Sequence, residues 1–366
     1  MLIKFVGDVM LGELLENYRR GVRTTVDRGV DPFEFCREEL SNSDLCVGNL
    51  ECVITDISNK PKLFRDILRA PHRFVEVLKR SGITAVNTAN NHAFDHGPEA
   101  LWDTLRALEA HGITTFGGTP DEPFQNRPVI REVNGVKIGL LGYNLANLSP
   151  HRFGESVDRI CSILQSARTE LPFIVLSLHW GQEYTDCPEP VLCKVATRLF
   201  TSGCDLIHGH HSHCLQGVVL REGKLLAPSL GNFVFDDRRR ENLLTAVLSA
   251  QVEDGAVESF QIRPYLINRS FQPVPAEHLD SAVRELCRNL ETLLELEDES
   301  ARDRVAREIT RRVARGHFRN RVRMRALMLF HFHHYLGHLG MLWRYGRRKH
   351  GREFSVTDSK REMTLV

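Results

Sequence analysis

FVEVLKRSGITAVNTANNHAFDHGPEALWDTLRALEAHG, residues 74–112, contains the pattern that governs most of the chain. Phe74, Val75, Val77 and Leu78 sit at helical spacing and are followed by Gly82, a residue suited to the left-handed conformation that ends a helix. An apolar run then passes through Ala85 and Val86 into a polar cluster ending in Asn91 and His92. After it, Leu101, Leu105 and Leu108 recur at spacings of three and four, closed again by a glycine, Gly112. The same rhythm of apolar run, polar turn and helical stretch recurs around IKFVGDV (3–9), LCVGNLE (45–51), VKIGLLGYN (136–144), FIVLSLHWG (173–181), LIHGHH (206–211) and LLAPSLGNFVF (225–235). Strands alternating with helices predict an α/β fold.

Residues 243–267 read differently, as two alternating strands joined by Asp254-Gly255, a hairpin that would finish a sheet at its edge. Beyond Pro273 and Pro275 the apolar residues Leu279, Val283, Leu286, Leu290, Leu293 and Leu294 return to helical spacing. The sequence therefore divides into a domain over 1–270 and a helical, basic extension over 271–366. The chain of 366 residues has a net charge of +1, which excludes a general attraction to nucleic acid or membrane. Between Arg302 and Arg352, however, fifteen Arg and Lys face only Asp303 and Glu308, an excess of +13 against an acidic remainder. Residues 326–343 are free of charged side chains, with Leu329, Phe332, Leu336, Leu339 and Trp343 as an apolar stripe. Eighteen such residues containing four His and two Gly suit an anionic surface or a packing face better than a membrane span.

Nine cysteines without a C-x-x-C pair argue against a disulfide framework or a zinc finger and for reduced thiols. MLIKFVGDVML lacks the basic and apolar regions of a signal peptide, so the expected location is cytoplasmic, with peripheral contact to the inner face of the membrane through the tail. Neither a G-x-S-x-G elbow nor a P-loop occurs.

The chemistry is concentrated where the apolar runs end, which is where open α/β sheets bind ligands. Asp8, Glu51, Asn91 with His92, His179, and His211 with His213 each follow such a run. One acid, a second able to bridge, an amide and several imidazoles suit divalent transition ions. His211 and His213, two apart, are expected on one side of an extended segment, with His208 and His210 facing the other way as packing or supporting residues. Lys62, Arg65, Glu183, Tyr184, Asn232 and Asp236 are weaker candidates for contact with an anionic or peptide substrate, expected as single exposed polar residues.

GDVML (7–11), GNLE (48–51), ANNHAFDHG (89–97), SLHWGQEY (177–184), GHHSHCLQ (209–216) and SLGNFVFD (229–236) together resemble the ordered motifs of the bacterial capsule synthesis family, CapA/PgsA, associated with poly-γ-glutamate capsules. That family is similar to the calcineurin-like metallophosphatases. The resemblance implies a two-sheet sandwich flanked by helices and two divalent ions, manganese, zinc or iron. Asp8 and His213 would hold one ion, Asn91, His179 and His211 the other, and Glu51 would bridge them. His92 would be the acid beside the ions, with Asp95 holding its imidazole, and Asn49, Glu183, Tyr184 and Asn232 would face substrate. Met10 stands where the wider phosphatases carry a His, and Asn49 where they carry an Asp, which leaves the first ion with fewer ligands. The expected activity is metal-dependent hydrolysis in capsule-polymer synthesis, acting on an anionic polymer or a phosphoester. A non-catalytic assembly subunit of a polymer-synthesis complex, and a phosphodiesterase or nuclease gripping nucleic acid through the basic tail, are the alternatives; nucleic acid is not the expected partner.

Overall fold

The computed structural model describes residues 1–61, 64–296 and single positions between 298 and 311. Lys62, the uncharged stretch 326–343 and nearly all of the basic excess lie outside the described residues. In chain order the strands begin β1 (Leu2–Val9), β2 (Leu45–Leu50), β3 (Val53–Ile54), β4 (Arg69–Ala70), β5 (Ala85–Asn87), β6 (Thr114–Phe116), β7 (Val129–Val133) and β8 (Val136–Asn144). They continue with β9 (Phe173–His179), β10 (Leu206–His210), β11 (Val219–Arg221), β12 (Lys224–Ala227), β13 (Asn232–Val234), β14 (Leu244–Glu253), β15 (Ala256–Ile267) and β16 (Pro273–Pro275). The helices are α1 (Val22–Asp27), α2 (Arg37–Ser41), α3 (Val75–Lys79), α4 (Pro98–Ala110), α5 (Pro150–Arg168), α6 (Pro190–Thr201) and α7 (Asp280–Glu295).

Two large sheets result. One runs β16-β15-β14-β1-β2-β5-β6, with β13 also paired to β1; the other runs β11-β12-β10-β9-β8-β7. The apolar alternation explains how they stack. Along β9, Phe173 and Val175 join Ile3, Phe5, Leu45 and Val47 of the first sheet in a core between the sheets. Ile174, Leu176 and Leu178 point the other way, onto Ile160 and Leu164 of α5 and Leu199 of α6. The outer face of the first sheet is covered by Leu40, Leu78 and Leu108 from α2, α3 and α4. Strands buried on both faces read as continuous apolar runs, which is why β1, β2, β9 and β10 stand out in the sequence. The α/β sandwich flanked by helices is thus the architecture observed.

The hairpin forms as the sequence indicates: Asp254 and Gly255 turn with φ of 48° and 76°, the two positive values a tight hairpin turn needs. It does not end the sheet, because β16, with a proline at each end, pairs outside β15. Prolines lack the N–H an inner strand would need, so an edge is where they fit. Helix α7 puts Val283 into the core between the sheets and Leu290 and Leu293 onto the face shared with α5 and α6. Among the described residues no helix is long and apolar enough to cross a membrane.

Candidate metal centre

The carboxyl ends of β1, β2, β5, β9 and β10 meet at one rim. β1 delivers Asp8 beside Asn232 of β13, its register partner, through a very close approach of the two strand segments. A Cβ on Gly7 would lie 1.9 Å from the Gly231 carbonyl oxygen, so only glycine fits there. On the other side Asp8 is level with Asn49 of β2, whose Nδ2 donates to Asp8 Oδ1 at 2.9 Å. Glu51 follows directly, its N–H held by the Val9 carbonyl. The turn after β5 is fixed by Asn90, whose Nδ2 donates to the Leu50 carbonyl at 2.8 Å and whose Oδ1 accepts from the His92 N–H. His179 and His210 are the last residues of β9 and β10 and are register partners.

Two corrections to the sequence reading arise here. His211 and His213 are not in an extended segment: their φ values are 88° and 59°, so a left-handed turn after β10 swings them to the rim. His210, expected to face away, lies at the same rim, its Nδ1 2.9 Å from Asp8 Oδ1 and off the line of a straight hydrogen bond. His208 does serve as packing, with Nε2 donating to the Val6 carbonyl at 2.9 Å and so tying the second sheet to β1.

Asp8, Glu51 and His213 offer donor atoms that all lie within 4.8 Å of one another. Glu51 Oε1 is nearly equidistant from three imidazoles, 3.8 Å from His92 Nε2, 3.9 Å from His179 Nε2 and 4.0 Å from His213 Nε2. Beside them Asn91 Oδ1 accepts from His179 Nε2 at 2.9 Å, and His211 Nδ1 is 3.0 Å from the same nitrogen. His213 Nδ1 donates to Asn232 Oδ1 at 2.9 Å, which turns Nε2 toward Glu51 as a free lone pair. Among the described residues, none offers a hydrogen-bond partner to the buried Asp8 Oδ2, either Glu51 oxygen, His179 Nδ1 or Asn232 Nδ2. Such groups cost stability unless something compensates them, and two wholly buried carboxylates facing imidazole nitrogens fit divalent cations.

The electrostatics agree. Burial, reinforced by the Asp8 charge, pushes the Glu51 carboxyl well above the usual carboxylate range. Burial would also raise Asp8, but the His210 contact and the neighbouring imidazoles outweigh it and hold Asp8 below that range. Burial keeps His179 well below its ordinary value and, with the charge of His213, brings His211 to about 4. Neutral imidazoles are the form that binds metal.

His92 stands at the rim, 27% exposed, with Nδ1 donating to Asp95 Oδ2 at 2.9 Å. Lys60 Nζ is 3.7 Å from the same carboxylate oxygen. The ring of Tyr184 stacks on His213 with centroids 5.9 Å apart, and the Arg239 guanidinium sits 3.8 Å from the Tyr184 ring centroid. Nothing in the sequence pointed to Arg239. Glu183 is half-buried and close enough for its charge to raise Glu51. Two of the weaker candidates are not exposed as expected. Asn232 is wholly buried beside His213, and Asp236 is wholly buried as the acceptor of the Leu14 N–H. Arg65 Nη2 donates to the Asp56 carbonyl at 3.1 Å. Met10, at the position where the phosphatase pattern has a His, is fully buried in the outer core of the first sheet.

The family profile described as bacterial capsule synthesis protein PGA_cap matches residues 2–237. The chain belongs to this family. The PGA biosynthesis protein CapA of Bacillus subtilis is 28% identical over 308 residues, covering 80% of each chain. The capsule biosynthesis protein CapA of Bacillus anthracis is also 28% identical, over 72% of this chain and 67% of its own. A hypothetical protein from Thermus thermophilus of solved structure shares 15% identity over 73% of this chain and 99% of its own, with a TM-score of 0.45. Every candidate donor from Asp8 to Asn232 falls inside the PGA_cap match.

Proposed function

We propose that the chain is a metal-dependent hydrolase of capsule-polymer synthesis, acting on a phosphoester or an anionic polymer. The observation that carries this reading is the pair of buried carboxylates, Asp8 and Glu51, with three oxygens unpartnered and a ring of imidazoles around Glu51 Oε1. Asp8 and His213 would hold one ion, Asn91, His179 and His211 a second, with Glu51 between them. Manganese, zinc or iron suits these nitrogen and oxygen donors. When bound, the ions supply Lewis acidity and an activated water.

The chain's own residues provide the rest. Asp95, held below the ordinary carboxylate range by its hydrogen bond from His92 although burial opposes this, stays ionised and fixes the imidazole. His92 Nε2, which accepts from Asn91 Nδ2 at 3.2 Å, stands at the rim, where the protonated ring would give its proton to a leaving oxygen. Lys60, paired with Asp95, and Arg239, paired with Asp237 and lying over Tyr184, are cations beside the rim that an anionic substrate would meet. Asn49 acts through Asp8 rather than on substrate, since its amide is spent on that carboxylate. We place the protein in the cytoplasm, held at the inner face of the membrane by the +13 segment between Arg302 and Arg352.

The test is to strip the full chain with chelator, add Mn²⁺, count bound ions and screen phosphomonoesters, phosphodiesters and γ-glutamyl peptides. Metal uptake with turnover of one class supports the proposal. Failure to take up any divalent ion overturns it, and uptake with no turnover reassigns the protein as an assembly subunit.

A further inference from the structure

We infer that His210 is a positioning residue for the metal centre, its Nδ1 side fixing Asp8 so that Oδ2 alone is presented to the ion. The inference rests on the metal-centre reading above.

His208 and His210 are two apart on β10 and point to the same side, into the space between the sheets. Their surroundings differ. His208 is satisfied at both nitrogens, by the Val6 carbonyl at 2.9 Å and by the Ser177 hydroxyl at 3.2 Å. His210 is 1% exposed, packs edge-on against the His208 ring at 4.2 Å, and brings Nδ1 to 2.9 Å from Asp8 Oδ1. An imidazole is an expensive filler for a dry site unless one of its nitrogens is used.

Asp8 shows what that nitrogen does. Its Oδ1 already accepts from Asn49 Nδ2 at 2.9 Å, and Asn49 Oδ1 accepts in turn from Asn87 Nδ2 at 3.1 Å. One carboxylate oxygen is therefore approached from the first sheet by Asn49 and from the second by His210. The other, Oδ2, has no hydrogen-bond partner among the described residues and faces His213 Nδ1 at 3.6 Å. His210 is not among the donors that cluster with Glu51 and His213. Its place is behind Asp8, where partners of a metal-binding carboxylate orient it and commonly change metal affinity 10–100-fold. Because His210 belongs to the opposite sheet, it also sets the depth at which Asp8 meets the rim.

The experiment uses the ability of amides to replace one imidazole nitrogen at a time. In His210→Asn the amide nitrogen can occupy the place of Nδ1; in His210→Gln it falls near the place of Nε2. Mn²⁺ titrations of the full-length chain, with chelator-treated melting temperatures alongside, should show His210→Asn within about threefold of wild type. His210→Gln should bind roughly 10–100-fold more weakly although its metal-free melting temperature matches that of the Asn variant. Equal affinities in the two variants, whether both wild-type or both weakened, would overturn the positioning role. Should wild type itself bind no Mn²⁺, the metal-centre reading fails and this inference with it; a binding wild type with indistinguishable variants defeats the inference alone.

Discussion

Glu51→Gln should make the metal-free protein more stable and the metal-loaded protein less so. Glu51 is completely buried, and among the described residues neither of its oxygens has a hydrogen-bond partner. Leaving a buried polar group unpaired costs about 1–3 kcal/mol, and more for a charged one. The amide has the same shape, carries no charge and can donate to the neighbouring ionised Asp8, so a gain of about 1–3 kcal/mol is expected near neutral pH, worth a few degrees in melting temperature. Its sign with pH is fixed. The folded-state pKa of Glu51 lies above the ordinary 4.5, so below that value folded and unfolded chains both hold the proton and the two proteins differ little. As pH rises, the unfolded chain releases its proton first, wild type loses stability, and the advantage of the glutamine widens. Added Mn²⁺ reverses the order, because wild type gains about 2.7 kcal/mol at a hundredfold excess over Kd while the variant keeps one neutral carbonyl oxygen in place of a carboxylate. Thermal melts in chelator and in Mn²⁺, at about pH 4.5 and about pH 7.5, test all of this. The reasoning fails if the variant melts below wild type in chelator at both pH values, or if its response to Mn²⁺ equals that of wild type.

Three other outcomes are expected. His92→Ala should keep its bound metal yet lose about 10²–10⁴-fold in turnover of whichever substrate the screen identifies, the scale of a missing general acid; metal analysis showing a lost ion would make His92 a ligand instead. His96, wedged between the Ser58 hydroxyl and the Ile67 carbonyl, is brought by burial to about 4, so acid stability should fall between about pH 6.5 and pH 4 as the unfolded chain takes up the proton first. His96→Gln should flatten that limb in pH-dependent denaturant titrations. A chain ending before Asp280 loses the buried Val283, Leu290 and Leu293, about 1.5–3 kcal/mol each, and should melt far below the full-length protein.

What the sequence revealed and what it hid divide along physical lines. β1, β2, β9 and β10 were legible because burial on both faces writes unbroken apolar runs, and the Asp254-Gly255 turn because few dipeptides accept two positive φ values. β16 was not, since three residues with prolines at both ends carry no alternation. At the centre, Asp8, Glu51, Asn91, His179, His211 and His213 were visible as polar residues at the ends of apolar runs. The orientation of His211 and His213 was misread because strand periodicity stops at His210, and a left-handed turn in non-glycine residues leaves no compositional mark. Asp236 was misplaced for a related reason: an isolated Asp gives no hint that a distant N–H, that of Leu14, will be buried with it. Arg239 could be recognised only through its contact with Tyr184, a product of tertiary packing.

The donors of the proposed centre come from both layers, Asp8, Glu51 and Asn91 from the first sheet and His179, His211 and His213 from the second. A bound ion would therefore rivet the two layers at one rim, while toward the opposite ends of the strands the layers are joined by side-chain packing and by the Val257 N–H donating to the Gly223 carbonyl at 3.1 Å. Removing the ion should loosen the sandwich as a hinge rather than uniformly, with amides after β2, β5, β9 and β10 exchanging faster and those at the amino ends of the same strands changing little. The width of the rim would then follow metal occupancy, so that loading of the site and the shape it offers to substrate become a single event.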